Sequence, residues 1–154
     1  MISVGVFENE TFTFSKALLR LTKCALVTNP QSAHLDIALV SGNLCRKPDI
    51  ITSKLIIVPD CLDRDLLSSF SGSTLISYGF CRKNTVTASS LVKSRLAVSL
   101  QRKISDIYGK VIEEQELIVS LHESQQPEDA LGLVSALLAL GIAPERISKM
   151  NIGF

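Results

Sequence analysis

The sequence predicts an α/β fold: a mostly parallel five-stranded sheet flanked by helices, with a small three-stranded antiparallel sheet and a C-terminal helix. Three observations predict it. Residues 1–80 repeat short β-branched or aliphatic runs without strict alternation, the pattern of parallel strands covered on both faces. After Phe80 the runs alternate partly between apolar and polar residues, as strands with one wet face do. A strongly apolar stretch then opens at Pro127 and stops at Gly141, the usual punctuation of a helix.

The five runs expected as parallel strands are Ile2–Phe7, Cys24–Thr28, Asp36–Ser41, Lys54–Pro59 and Ser73–Phe80. Between the first two, residues 11–21 place Phe14, Ala17, Leu18 and Leu21 on one side of a helix. A second helix is expected after the fourth strand, where Asp60, Asp63 and Asp65 supply a cap and first-turn acids. The connections at residues 29–34 and 42–49 are too polar and broken for long helices. Residues 85–92, 95–103 and 111–120 predict the antiparallel strands, with Gly109 supplying positive φ in the last hairpin connection. Pro144 starts one more helical turn. The 154 residues, 46% hydrophobic, suit one core. A single domain over 1–154 is therefore expected, divided into a parallel part (1–80), an antiparallel part (81–123) and a helical part (124–154).

The longest apolar stretch, Leu131–Ile142, is too short to cross a bilayer, which takes about 20 residues. The amino terminus has no basic run before an apolar block, so a cytoplasmic protein with no membrane partner is expected. Cys24, Cys45, Cys61 and Cys81 lack the short paired spacings of metal or dithiol sites, and buried free thiols are expected, with no metal and no cofactor. Net charge is +1, but residues 81–110 carry seven cations against Asp106 alone, a net of +6, and residues 111–154 carry two against seven acids, a net of −5. The basic block lacks interleaved aromatics. Cross-strand charge pairing is the expected use of it, and nucleic acid is not an expected partner.

The order of parts from about Asp36 to Ile147 resembles the second half of the central domain of the Mur ligases, the peptidoglycan amino-acid ligases related to folylpolyglutamate synthase. Asp36–Asn43 is similar to the family strand ending in Thr-Asn. Lys54–Asp60 is similar to its next strand, and Leu75–Phe80 to its Tyr-Gly strand before a small antiparallel sheet. Asp129–Ile142 resembles its helix ending Leu-Gly-Ile. The resemblance implies a role in bacterial cell-wall metabolism. Its chemistry requires a glycine-rich loop with Gly-Lys-Thr or Gly-Lys-Ser, and here the first strand is followed by Phe7-Glu8-Asn9-Glu10, whose carboxylates would repel a triphosphate. The family's adenine-contacting positions fall on Gln125, Gln126 and Asp129, none of them retained. Only about fifteen residues separate the first two strands, too few for the segment carrying the family's magnesium-binding glutamate and modified lysine. Asn29–Asp36 is similar to the family's Asn-Ile-Ser-Pro-Asp-His-Leu-Asp, yet it directly precedes the third strand and cannot fill that role.

In open α/β sheets ligands sit beyond the carboxyl ends of the strands, so the candidate ligand residues are Asn29, His34, Gly42, Asn43 and Asp60. No catalytic residue is assigned, since no Gly-x-Ser-x-Gly elbow anchors a triad, His34 reads as a loop histidine with a local hydrogen bond, and His122, at the end of a hairpin strand, invites no proposal. Three functions remain open. The first is a non-catalytic Mur-ligase-like pseudoenzyme that binds or regulates a protein partner or a second copy of itself. The second is a stand-alone binder of a small molecule, and the third an enzyme of unrecognised chemistry using His34, Asp60 or a cysteine.

Overall fold

A computed structural model describes residues 1–9 and 13–152. Thr11, Phe12 and Glu10, which enter the expectations above, lie outside the described residues. The fold is α/β. Its elements are β1 (Ser3–Phe7), α1 (Thr13–Leu21), β2 (Ala25–Thr28), β3 (Ser32–Val40), β4 (Ile50–Pro59), α2 (Arg64–Leu67), β5 (Phe70–Tyr78), β6 (Val86–Val92), β7 (Arg95–Leu100), β8 (Ile104–Ser105), β9 (Val111–Ile112), β10 (Gln115–Ser120), α3 (Pro127–Ala139) and α4 (Pro144–Lys149). Eight strands form one sheet in the order β10-β7-β6-β5-β4-β3-β1-β2. The antiparallel strands β6, β7 and β10 extend the parallel sheet instead of standing apart from it, and β8 with β9 makes a separate two-stranded ribbon. Gly109 (φ 83) turns that ribbon and Gly141 (φ 88) ends α3, both as their sequence positions predict. No helix among the described residues is long and apolar enough to cross a membrane.

α1, α3 and α4 cover one face of the sheet. Phe14, Ala17 and Leu18 of α1 and every residue of α3 from Ala130 to Ala139 are buried. They pack on Val4, Val6, Ile37, Leu39, Leu55, Ile57 and Ile76 in the larger core.

The opposite face is covered largely by the strands themselves, with Leu44, Leu62 and, from α2, Leu67 packed at the margin. β2 ends at Thr28, level with Val6, and only residues 29–31 precede Ser32. Because Ile37 is level with Val4, a straight β3 would begin at the far end of the sheet, roughly 20 Å or more from Thr28. Four residue steps reach at most about 14 Å. β3 therefore bends, and its neighbours bend with it. The pairing passes from Leu35↔Ser53 to Ile37↔Leu55, and from Ser53↔Gly72 to Leu55↔Thr74, so Asp36, Lys54 and Ser73 share one transverse line. Alternation slips there, and Leu35, Ile51 and Phe70 turn onto Phe7, Ala38, Val40, Ile56 and Val58 as a second core. Phe70 meets Phe7 edge-on with ring centroids 4.8 Å apart. At Gly72 a Cβ would run into the carbonyl of Ser53 and stand 3.0 Å from Ile56, so the fold-over leaves room for glycine alone.

Three expectations are corrected here. The polar stretch expected as a loop over residues 29–34 is a loop only to Gln31, and His34 lies inside β3, whose first half faces solvent on one side. The cysteines are free but not buried: Cys24 is half-buried, and Cys45, Cys61 and Cys81 are exposed because they sit in loops past the ends of β3, β4 and β5. No ion pair among the described residues joins the basic block to the acidic segment. The register sets Glu116 against Ser99 and Arg95 against Ser120, while Arg102 and Lys103 lie beyond the end of β7.

Asp36 fastens the bend to β1. Its Oδ2 accepts from the Ser3 N–H (2.8 Å) and Ser3 Oγ (3.1 Å), and Lys54 Nζ stands 3.6 Å from Oδ1. The Ser3 backbone N–H is the largest cause holding the Asp36 carboxyl below its ordinary range. A carboxyl depressed on folding stabilises fully above its unfolded pKa of about 3.9 and loses that contribution as pH falls through the folded value. Asp36→Asn should therefore cost about 1 kcal/mol at pH 7 in urea unfolding. The difference from the parent protein should shrink as the pH is taken below about 4; an equal gap at pH 7 and pH 2.5 would refute the assignment.

Candidate functional site at the carboxyl ends of the strands

Within the parallel part the order is β2-β1-β3-β4-β5, so the chain leaves β1 toward one edge and returns to the other side of β1 as β3. Loops diverge at such a switch point and leave a crevice, the usual ligand position in open α/β sheets. Here a cavity of about 550 Å³ opens against the residues that follow β1, β2 and β3. Phe7 and Leu44 give it apolar walls, and Glu8, Asn29, Gln31 and Arg46 its polar ones.

Beside the cavity, Glu8 is 2% exposed. Its Oε1 accepts from the Phe14 N–H (2.9 Å), and its Oε2 from the Ser15 N–H (2.9 Å) and Ser15 Oγ (2.7 Å). Amides in the first turn of a helix have no partner within it and attract negative charge, which makes a helix start a ready seat for phosphate. In this chain the seat on α1 holds the protein's own carboxylate. Glu8 thus acts more strongly than the sequence predicts: besides repelling a polyphosphate, it fills the position.

The turn that carries Glu8 is fixed from both sides. Asn29, in the left-handed region (φ 48), accepts the Glu8 N–H on Oδ1 (2.9 Å) and donates Nδ2 to the Glu8 carbonyl (2.7 Å). Across the switch point Asn43 Oδ1 accepts the Asn9 N–H at 3.2 Å. Two predicted ligand residues are therefore anchors of the β1 turn, and Asn29 also lines the cavity.

On the other side of the Ser41–Asn43 loop the edge is acidic. A Cβ on Gly42 would lie 3.3 Å from Cys61 Sγ and 3.5 Å from Glu128 Oε1, so this loop rests against both. Ligand atoms of Asp60, Cys61 and Glu128 all lie within 4.8 Å of one another, a spacing that would admit a metal ion. The Cys61 thiol points at Glu128 Oε1 (3.7 Å), and although the residue is exposed its pKa is raised by partial desolvation of the sulfur first, then by Glu128 and Asp60. Such a thiol is a weak nucleophile at neutral pH. Burial, followed by Glu128 and Glu8, raises the Asp129 carboxyl, and burial chiefly pushes Tyr78 well above the ordinary phenol range. Tyr78 donates its hydroxyl to the Val40 carbonyl at 2.6 Å. Asp60 accepts from Asn84 Nδ2 (2.8 Å) and presses on Gly79 (φ 151), where any Cβ would collide with it.

No family model matches this chain, and no curated protein matches it. The geometry alone brings Asn29, Gly42, Asn43 and Asp60 to one edge of the sheet and leaves His34 out. His34 is exposed within β3, with Nδ1 2.7 Å from Thr52 Oγ1 on the neighbouring β4, a cross-strand bond in place of the loop-local one expected. Asp63 caps α2 by accepting the Asp65 N–H, and Asp65 pairs with Lys47 at 2.9 Å, so those two acids are helix-start residues. Sequence reasoning passed over Gln31, Leu44, Arg46 and Glu128. Glu128 had a signal, as a first-turn acid on a helix whose start faces the strand ends.

Glu8→Ala should remove three hydrogen bonds from the start of α1 and destabilise the protein by about 2 kcal/mol or more, read as a lower urea midpoint. Unchanged stability would show that water serves those amides equally well. Asp129 behaves oppositely. A carboxyl raised on folding opposes the fold once pH climbs past its unfolded pKa, so Asp129→Asn should raise the melting temperature at pH 7 and leave it unchanged near pH 3.

Proposed function

We propose that this chain is a non-catalytic, Mur-ligase-like binding module of bacterial cell-wall metabolism that holds a small anionic molecule at the strand-end cavity. The cavity beside a filled phosphate seat carries this reading. Its position at the β1/β3 switch point is where the fold accepts ligands, and its size lies in the range of small-molecule sites, about 300–1,000 Å³. Arg46 supplies a cation for the ligand's charge, Phe7 and Leu44 take its apolar part, and Gln31 offers an amide. Triphosphate binding at α1 is disfavoured, because Glu8 already uses the Phe14 and Ser15 amides. Binding rather than turnover is supported by the raised Cys61 thiol and by the distance in the fold between His34 and this edge.

The reading is tested by thermal shift with uridine-diphosphate-linked cell-wall precursors, muropeptides, and ATP with and without Mg²⁺. A precursor should raise the melting temperature saturably, by linkage worth about 2.7 kcal/mol at a hundredfold excess over Kd. Arg46→Glu should weaken the response, and Cys45→Trp should abolish it by filling the cavity from an exposed position. A Mg²⁺-dependent ATP shift that survives Cys45→Trp, or no shift with any precursor, would defeat the proposal.

A further inference from the structure

β5 pairs with β4 from Ile51↔Phe70 to Pro59↔Tyr78, but on its other side, among the described residues, it pairs with β6 only at Tyr78↔Val86. Five consecutive residues in the middle of the strand, Ser71–Leu75, are exposed as a result. The direction of the unpaired backbone follows from its neighbours. Tyr78 C=O accepts the Asp60 N–H on the β4 side, whereas the Ser77 N–H points to Thr85 Oγ1 and the Gly79 N–H to the Val86 carbonyl. By alternation along the strand, the N–H and C=O of Leu75 face away from β4. That flank is open.

Opposite it runs the segment leaving β7. Between the two lies a groove of about 380 Å³, walled by Thr74, Leu75, Thr85, Arg102, Lys103 and Val111. Leu75 and Val111 are 54% and 50% exposed, an unusual placing for two aliphatic side chains that face one groove. Neither Arg102 nor Lys103 is in an ion pair among the described residues. Open strand edges are usually blunted by charge, proline or a bulge, and Ser71-Gly72-Ser73-Thr74-Leu75 carries neither charge nor proline. The charges stand instead across the groove.

We propose that this groove receives an extended acidic segment of a partner protein, which adds to the open flank of β5 as a further strand. Main-chain bonds to Leu75 would supply attachment, and alternate side chains would supply selection. Carboxylates on one face of the segment would meet Arg102 and Lys103, and aliphatic groups on the other would meet Leu75 and Val111. A small anion would use the two cations and leave the Leu75 backbone and both aliphatics without a role, so the observations favour a peptide. This site is distinct from the cavity at the β1/β3 switch point, and the two can fail separately.

The test uses the full chain and a fluorescein-labelled peptide alternating Glu and Val, with two controls: Lys in place of every Glu, and N-methylation of every second amide on the bonding edge. Anisotropy should show saturable binding of the acidic peptide, weakened by salt, and at least about tenfold weaker binding of each control. The variant Lys103→Glu, at an exposed position, should weaken binding by at least about fivefold with an unchanged melting temperature, whereas Arg102 also donates Nη2 to the Lys83 carbonyl (2.8 Å) and is left in place. Hydrogen exchange of the Leu75 amide should slow when the peptide is added. Equal binding of the Lys peptide, indifference to N-methylation, an unprotected Leu75 amide, or full displacement by millimolar inorganic phosphate would each overturn strand addition.

Discussion

The site is organised around a buried carboxylate on the first-turn amides of α1. Glu8 leaves β1, turns inward, and completes the helix start with bonds to Phe14 and Ser15. Because that charge is fixed, the rest of the strand-end edge is arranged around it. Asn29 and Asn43 spend their side chains holding its turn, and Asp129, on the facing helix, titrates high partly because Glu8 is close. The same bond set limits function. A helix start that holds its own anion has little to offer a ligand's phosphate.

Much of the fold was legible. Parallel strands read as apolar runs because both faces are covered, and Pro127, Gly109 and Gly141 marked turns and helix ends through backbone constraints that act locally. The bend at Asp36, Lys54 and Ser73 was not legible, since a run of Leu and Ile looks the same whether helices or folded-over strand halves cover it. The first half of β3 read as loop because Ser32 and His34 face solvent. Cross-strand charge pairing failed for a related reason: net charge per segment says nothing of register, and one residue of register decides which side chains meet.

The candidate site was legible as a region of the fold and not in its bonds. The strand ends read from the sequence put Asn29, Gly42, Asn43 and Asp60 past the carboxyl ends of their strands, and the structure has them on that one edge of the sheet. The role of Glu8 was half visible, as a charge in the wrong place for ATP, because its partners are amides that only the docking of α1 brings near. Arg46 and Leu44 join the cavity through an irregular loop whose path has no periodic signature.

The shared bend has a consequence for how the chain acquires its shape. Leu35, Ile51 and Phe70 belong to one core while Ile37, Leu55 and Ile76, a few residues on, belong to the other. Neither core can then consolidate without drawing the same three strands into place for its counterpart. Assembly across the bend is expected to be all-or-none, with no half of this sheet able to persist alone.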